Sequence, residues 1–209
     1  MIYGPGSIGD NTFIGPNVAI GTPAEMPGSP LGAGWIDGNN STFMIGSNTV
    51  IREFVTVQVA EGVITSIGNG CYIMTKAHVP HHAMISDNAT IASAAVIGGH
   101  GRIGEGAYLG LSSVMHQRLA VGSRAMVGMG SVVTKHVPPF AMAYGIPARI
   151  AGANVVGMQR AGYADELGVI VHDYYKQGAD VAEIFADERL ASLKPSYEAW
   201  LEGIEGAAE

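Results

Sequence analysis

Large aliphatic residues recur at every sixth position of this chain. They run Ile2, Ile8, Ile14, Ile20, then Ile45, Ile51, Val57, then twelve without a gap: Ile67, Ile73, Val79, Ile85, Ile91, Ile97, Ile103, Leu109, Met115, Val121, Val127 and Val133. A period of six fits neither the helical turn nor the simple alternation of a strand. It fits a mainly β architecture, a parallel β-helix of triangular coils whose three short walls return the chain to the same face about 4.8 Å higher. Four residues after most of these aliphatics stands a small side chain (Cys71, Ala77, Ala83, Ala89, Ala95, Gly101, Ala107, Ser113, Ala125, Ser131), which lets the wall turn sharply. Thirty glycines against five phenylalanines suit tight turns and a narrow interior. Since aliphatic side chains fill that interior, chemistry belongs on the outside of the coils or between subunits.

The breaks in the period organise the rest. From Ile20 to Ile45 the period fails across "TPAEMPGSPLGAGWIDGNNST", predicting a loop at about residues 22–43, and "VAEGVITS" adds four residues between Val57 and Ile67. Pro138, Pro139 and Pro147 lack the ladder donor and should close the stack. Helical periodicity follows from about Tyr163, with Asp180 and Ser196 as N-caps, Pro195 separating the last two helices, and His172 on a helix face. The expected division is a β-helix over residues 1–150 and a small helical region over 151–209.

Composition excludes several classes. The net charge of −7 speaks against a nucleic-acid partner, and no apolar run is long enough to cross a bilayer. A single cysteine, Cys71, permits no intrachain disulfide; with no charged-then-apolar leader, the cytoplasm is the expected compartment. The charge is uneven: residues 76 to 160 hold seven of the eleven Lys and Arg against two acids, Asp87 and Glu105. That block either meets an anionic ligand or simply contrasts with a solvated acidic tail, and both readings stay open.

"TKAHVPHHAMI" places His78, His81 and His82 together in a chain of seven histidines. Stepping by one coil of eighteen residues stacks His81, Gly99 and Gln117 in one column and His82, His100 and Arg118 in the next, with His116 above Gly98. Zinc held by histidines is one reading, but it leaves Gly99 and Gln117 idle. Acid–base chemistry uses the whole set: an imidazole to accept a proton from a hydroxyl, and a glycine amide with no side chain in the way to meet an oxyanion. That combination suits acyl transfer.

"IREFVTVQ", "TKAHVPHHA", "IGGH", "VMHQR", "VPPF" and above all "GANVVGMQRAGY" resemble the UDP-N-acetylglucosamine O-acyltransferases that begin lipid A synthesis. The resemblance covers residues 1 to about 175. It implies a left-handed coil, a homotrimer with sites between subunits, a thioester of acyl carrier protein as donor and a nucleotide sugar as acceptor, with no metal and no bound cofactor. It further implies His81 as general base and Gly99 as oxyanion donor. His78, His100, His116 and Gln117 would line the substrate cleft, Glu25 would lie near the sugar, Asn154 and Arg160 would hold donor or nucleotide, and Met126 and Met129 would border the acyl groove, with Met129 shortening it. His82 stands where the family usually has an acid, so the base would be oriented by another group, such as Glu53 or a neighbouring chain. Val156 and Ala161 replace residues that are usually polar or basic. "GIPAR" is shared with coenzyme A dependent acetyltransferases, so N-acylation of an amino sugar with coenzyme A is the alternative enzyme, and a non-catalytic sugar-nucleotide-binding β-helix is the alternative outside catalysis.

Overall fold

A computed structural model describes residues 1–27 and 41–208 as a parallel β-helix followed by short helices. The middle of the expected loop, residues 28–40, lies outside the described residues. Strand Ala19–Pro23 leads into it and strand Phe43–Ile45 takes up the coil again.

Three walls carry the expected register. On the first, Met84 pairs with Ser66 below and Arg102 above; on the second, Thr90 pairs with Tyr72 and Tyr108; on the third, Val96 bridges His78 and Val114. All six partners are eighteen residues away. Where the sequence carries its four extra residues the partners stand twenty-two apart, as in Thr56 with His78, and across the large loop thirty-seven, as in Ile8 with Ile45. The wall keeps its pairing on either side of both breaks. Ile51, Ile73, Ile91, Ile97 and Leu109 are almost wholly inaccessible, and each such aliphatic contributes about 1.5–3 kcal/mol on leaving water.

The corners rest on a backbone device that the hexapeptide pattern only half reveals. The small buried residue is preceded by one with a positive φ: Gly70 before Cys71, Lys76 before Ala77, His82 before Ala83, Asn88 before Ala89, Ala94 before Ala95 and His100 before Gly101, and Arg118 stands likewise before the larger Leu119. Asn and Gly adopt this left-handed conformation readily; other L-residues do so at a cost of about 1–2 kcal/mol. Gly101 has a further reason to lack a side chain, since a Cβ there would press within 2.5 Å of Ile97 Cγ2 and 2.7 Å of Met115 Cε.

The stack runs past Pro138 and Pro139. Strand Ala141–Gly145 still lies parallel to Met126–Val127, and strand Ala148–Ala153 then turns back antiparallel and covers its edge. The helices follow as α1 (Val155–Arg160), α2 (Asp165–Gln177), α3 (Val181–Ala186), a 3-10 turn (Glu188–Leu193) and α4 (Lys194–Ala208). Helical structure thus begins earlier than periodicity suggested, because six residues are too few to show a period. Asp180 caps α3 with a full capping box closed by Glu183. Ser196 is not a cap: α4 starts at Lys194, and Pro195 sits in its first turn, where the missing N–H costs nothing. His172 lies on α2, where its Nδ1 accepts from the Ala153 N–H at 3.3 Å.

Two tyrosines lock the helices to the stack. The Tyr175 hydroxyl donates to the Pro139 carbonyl and lies 2.8 Å from the Tyr197 hydroxyl, all buried. Helix α4 lies against the first wall, with Trp200 Nε1–H donating to the Ala120 carbonyl at 3.4 Å. A cavity of about 960 Å³ lies beneath it, lined by Met44, Met84, Arg102, Trp200 and Gly203.

The corner device gives a direct test. Ala94 is exposed and holds φ at 59°, so Ala94→Gly relieves about 1–2 kcal/mol of strain and loses about 0.5–1 kcal/mol to the freer unfolded chain. The variant should be the more stable by about 0.5–1 kcal/mol in chemical denaturation; a loss of stability would mean that this corner is not strained.

Candidate active site

The histidines gather on the edge where the third wall turns into the first. His82, His100 and Arg118 each occupy the positive-φ position of that corner in successive coils, at φ 59°, 59° and 58°. The ladder stitches them in register: the His100 N–H donates to the His81 carbonyl at 3.2 Å, and the Arg118 N–H to the Gly99 carbonyl at 2.8 Å.

Gly99 stands one coil above His81. A Cβ on Gly99 would lie 2.9 Å from both Cε1 and Nε2 of the His81 ring, so a side chain there would displace the imidazole. Among the described residues the Gly99 N–H donates to no protein acceptor.

Hydrogen bonds decide where the protons of the cluster sit. His82 Nε2 lies 3.1 Å from the Glu61 carbonyl, which can only accept, so in the neutral ring Nε2 carries the proton and Nδ1 a lone pair. His81 Nδ1 stands 3.0 Å from His82 Nδ1 and His100 Nε2 3.1 Å; donation from the nearer His81 Nδ1 leaves His81 Nε2 unprotonated toward Gly99. The His82 backbone is fixed as well, its N–H donating to Thr65 Oγ1 at 2.8 Å. Burial first, then the neighbouring His82, His78 and Arg118, pushes the His81 imidazole below its ordinary value. The same causes, led by burial, His82 and Arg118, take His100 down to about 4. Both rings are therefore neutral at neutral pH.

Among the described residues Glu53 makes no hydrogen bond to His81. A backbone hydrogen bond at Glu53 itself, then Arg52 at 2.8 and 3.1 Å and Thr75 at 3.0 Å, lower its carboxylate to about 2. The group that contacts the His81 ring is His82, which is itself held by a carbonyl from the four-residue excursion after Val57. Sequence reasoning missed the pair because a backbone carbonyl leaves no signature in residue identity.

The other expected residues divide by edge. His78, its Nδ1 at 2.7 Å from Thr56 Oγ1, lies on the third wall leading to the histidine edge. Burial lowers the His78 imidazole, and the charge of exposed Glu25 opposes that shift. His116 and Gln117 are exposed on the same edge, with His116 Nδ1 donating to the Gln117 carbonyl at 3.0 Å. Asn154 belongs to a different corner: its Oδ1 caps α1 by accepting from the Gly157 N–H at 3.1 Å, and its Nδ2 donates to the Arg124 carbonyl at 2.9 Å. Arg160 is exposed at the end of α1. Met126 points outward from the second wall, and Met129 is 74% exposed near the next corner. One chain thus unites Glu25, His78, His81, Gly99, His100, His116 and Gln117, and leaves Asn154, Arg160, Met126 and Met129 apart from them.

Four cations of the basic block have partners within the chain, Arg149 through the neighbouring Ala148 carbonyl at 3.2 Å. Arg102 donates to the His82 and His100 carbonyls at 2.6 and 3.2 Å and to the Gly206 carbonyl at 2.7 Å. Arg118 donates to the Ala207 and Ala208 carbonyls at 3.0 and 2.7 Å, so the two together cap the C-terminal end of α4. Arg124 pairs with Glu105 at 2.9 Å.

A family pattern described as "Udp N-acetylglucosamine O-acyltransferase; Domain 2" matches residues 136–205, and one described as "Hexapeptide repeat of succinyl-transferase" matches residues 5–25 and 102–135. The acyl-[acyl-carrier-protein]–UDP-N-acetylglucosamine O-acyltransferase of Azorhizobium caulinodans is 41% identical over 201 residues, 95% of this chain and 71% of its own. The chain belongs to this family. The namesake from Synechocystis sp. is 36% identical over 168 residues, 79% of this chain. The chain spans 58% of that relative's length and 66% of one from Anaeromyxobacter sp.. Among solved structures, the UDP-N-acetylglucosamine acyltransferase of Arabidopsis superposes with a TM-score of 0.79 at 26% identity, covering 98% of this chain and 73% of its own.

The proton assignment is open to direct observation. Long-range ¹H–¹⁵N spectra should show His82 protonated at Nε2 and His81 at Nδ1, with His81 Nε2 carrying the shift of a bare imidazole nitrogen. His82→Ala should release His81 to the Nε2–H form that solvated imidazoles prefer. A wild-type His81 already protonated at Nε2 would contradict the hydrogen-bond chain.

Proposed function

We propose that this chain transfers an acyl group from an acyl carrier protein thioester to a hydroxyl of a UDP-amino sugar, with His81 as general base and the Gly99 amide as oxyanion donor. The observation that carries this reading is the His81 ring set against Gly99, whose N–H meets no protein acceptor among the described residues. His81 Nε2 takes the proton of the attacking hydroxyl while its Nδ1–H stays anchored on His82. The hydroxyl oxygen adds to the thioester carbonyl, and the Gly99 N–H meets the resulting oxyanion. Collapse expels the thiolate, which recovers the proton from His81 Nε2. His82 in place of a carboxylate brings no negative charge to raise the basicity of His81, which burial already lowers.

No metal or bound cofactor has a part in these steps. Glu25, His78, His100, His116 and Gln117 line the acceptor side. Asn154, Arg160, Met126 and Met129 lie on other edges, and they join the histidine edge in one site only when a second copy contributes them; that separation favours the homotrimer with shared sites. Asn154 has both carboxamide atoms committed to capping and tethering α1, so it supports the segment that carries Arg160. Among the described residues no helix is long and apolar enough to cross a membrane, in keeping with a cytoplasmic enzyme acting on carrier-bound substrates.

The test is an assay of the purified chain with carrier-bound and coenzyme A thioesters against hydroxyl and amino forms of the UDP-sugar. Transfer from the carrier to the hydroxyl is the expected outcome. His81→Ala should lower kcat by about 10²- to 10⁴-fold with the melting temperature unchanged. Transfer only from coenzyme A to the amine would replace this reading with N-acylation, and near-normal turnover by the His81 variant would remove the base.

A further inference from the structure

The histidine edge holds more imidazole than one general base needs. His81, His82 and His100 each bring one ring nitrogen within 4.8 Å of the other two, and His82 Nδ1 lies 3.0 Å from His81 Nδ1 and 3.1 Å from His100 Nε2. Proton counting shows that this contact is incompletely satisfied. His82 Nδ1 offers one in-plane lone pair, because its own proton is on Nε2, and both neighbours stand at donor distance from it. One acceptor can satisfy only one of these two neighbours.

We propose that His81, His82 and His100 form a binding site for a single divalent transition-metal ion, zinc foremost, and that its occupation silences His81 as a base. The second half rests on the function proposed above; the first does not. Three imidazoles with no carboxylate among them suit zinc, nickel or cobalt and not magnesium or calcium. Nitrogens around a tetrahedral zinc stand about 3.4 Å apart for bonds of 2.0–2.1 Å, so the two close pairs would open by a few tenths of an ångström. The outer support is also present: His82 donates its remote N–H to the Glu61 carbonyl, the arrangement that orients metal-bound imidazoles. His82 is buried while His81 and His100 are partly exposed, which gives the ion a way in and leaves room for water as a further ligand.

The silencing follows from proton positions. To offer Nδ1 to the metal, His81 must carry its proton on Nε2, the atom facing Gly99, and His100 must likewise carry its proton on Nδ1. Each ring keeps one proton and the metal takes three lone pairs, so the rearrangement releases none. His81 Nε2–H then has no lone pair for the attacking hydroxyl. The charges of Arg102 and Arg118 oppose a cation here, so the site is a reversible one and not a closed structural centre.

The test uses the full chain, stripped with a chelator and titrated with Co²⁺. One equivalent should bind with the visible absorption of cobalt held by imidazoles, and Zn²⁺ should displace it. His82→Ala and His100→Gln should each weaken binding at least tenfold, whereas His116→Ala should leave it unchanged. If His82→Ala does not fold, His100→Gln and loss of the His81 Nδ1 proton signal on adding Zn²⁺ to the wild type decide the matter. No one-to-one binding, or binding undiminished by the substitutions, overturns the site. Acyl transfer should fall with Zn²⁺ occupancy and return with chelator, and transfer unaffected at saturation overturns the silencing. A chain that binds the metal through these residues but transfers no acyl group upholds the site and refutes the function proposed above.

Discussion

Everything in this fold depends on the buried aliphatic column and the parallel ladder that keeps it in step. An isolated coil has no interior of its own; it acquires one by stacking on its neighbours. Side chains from Ile45 to Val133 therefore sustain each other layer by layer, and a position on one rung fixes positions eighteen residues away. His81 meets Gly99, and His82 meets His100, because Ile85 and Ile103 have already paired as strand neighbours. The chemistry of the edge inherits its accuracy from the wall.

That dependence explains what could be read in advance. Period six gave the coil, and the coil gave the columns of His81 with Gly99 and of His82 with His100. The two excursions were visible as breaks in the period. The direction of a side chain along its column was not visible: His82 turned out to hold His81, and Glu53 turned out to belong to Arg52 and Thr75. Short elements also escaped, since α1 spans less than two helical turns and the hairpin strand Ala148–Ala153 does not follow the hexapeptide pattern. Ser196 was a fair cap by residue type, but Pro195 starts a helix more readily than it ends one.

The basic block shows how a compositional signal divides once neighbours are known. Arg102 and Arg118 are occupied with the carbonyls at the end of α4, and Arg124 with Glu105. Arg160 keeps its exposure at the end of α1. The tail and the histidine edge are also joined: the guanidinium that supports the His82 and His100 carbonyls is the one that closes the last helix, a contact spanning 104 residues.

The four residues that break the period after Val57 deserve one more thought. They are expelled because the wall admits no surplus, and once outside they bend back far enough for the Glu61 carbonyl to reach His82. Such a scaffold is conservative in its walls and permissive at its corners. A small overhang along an edge can thus bring a peptide oxygen to a buried ring without any layer having to shift.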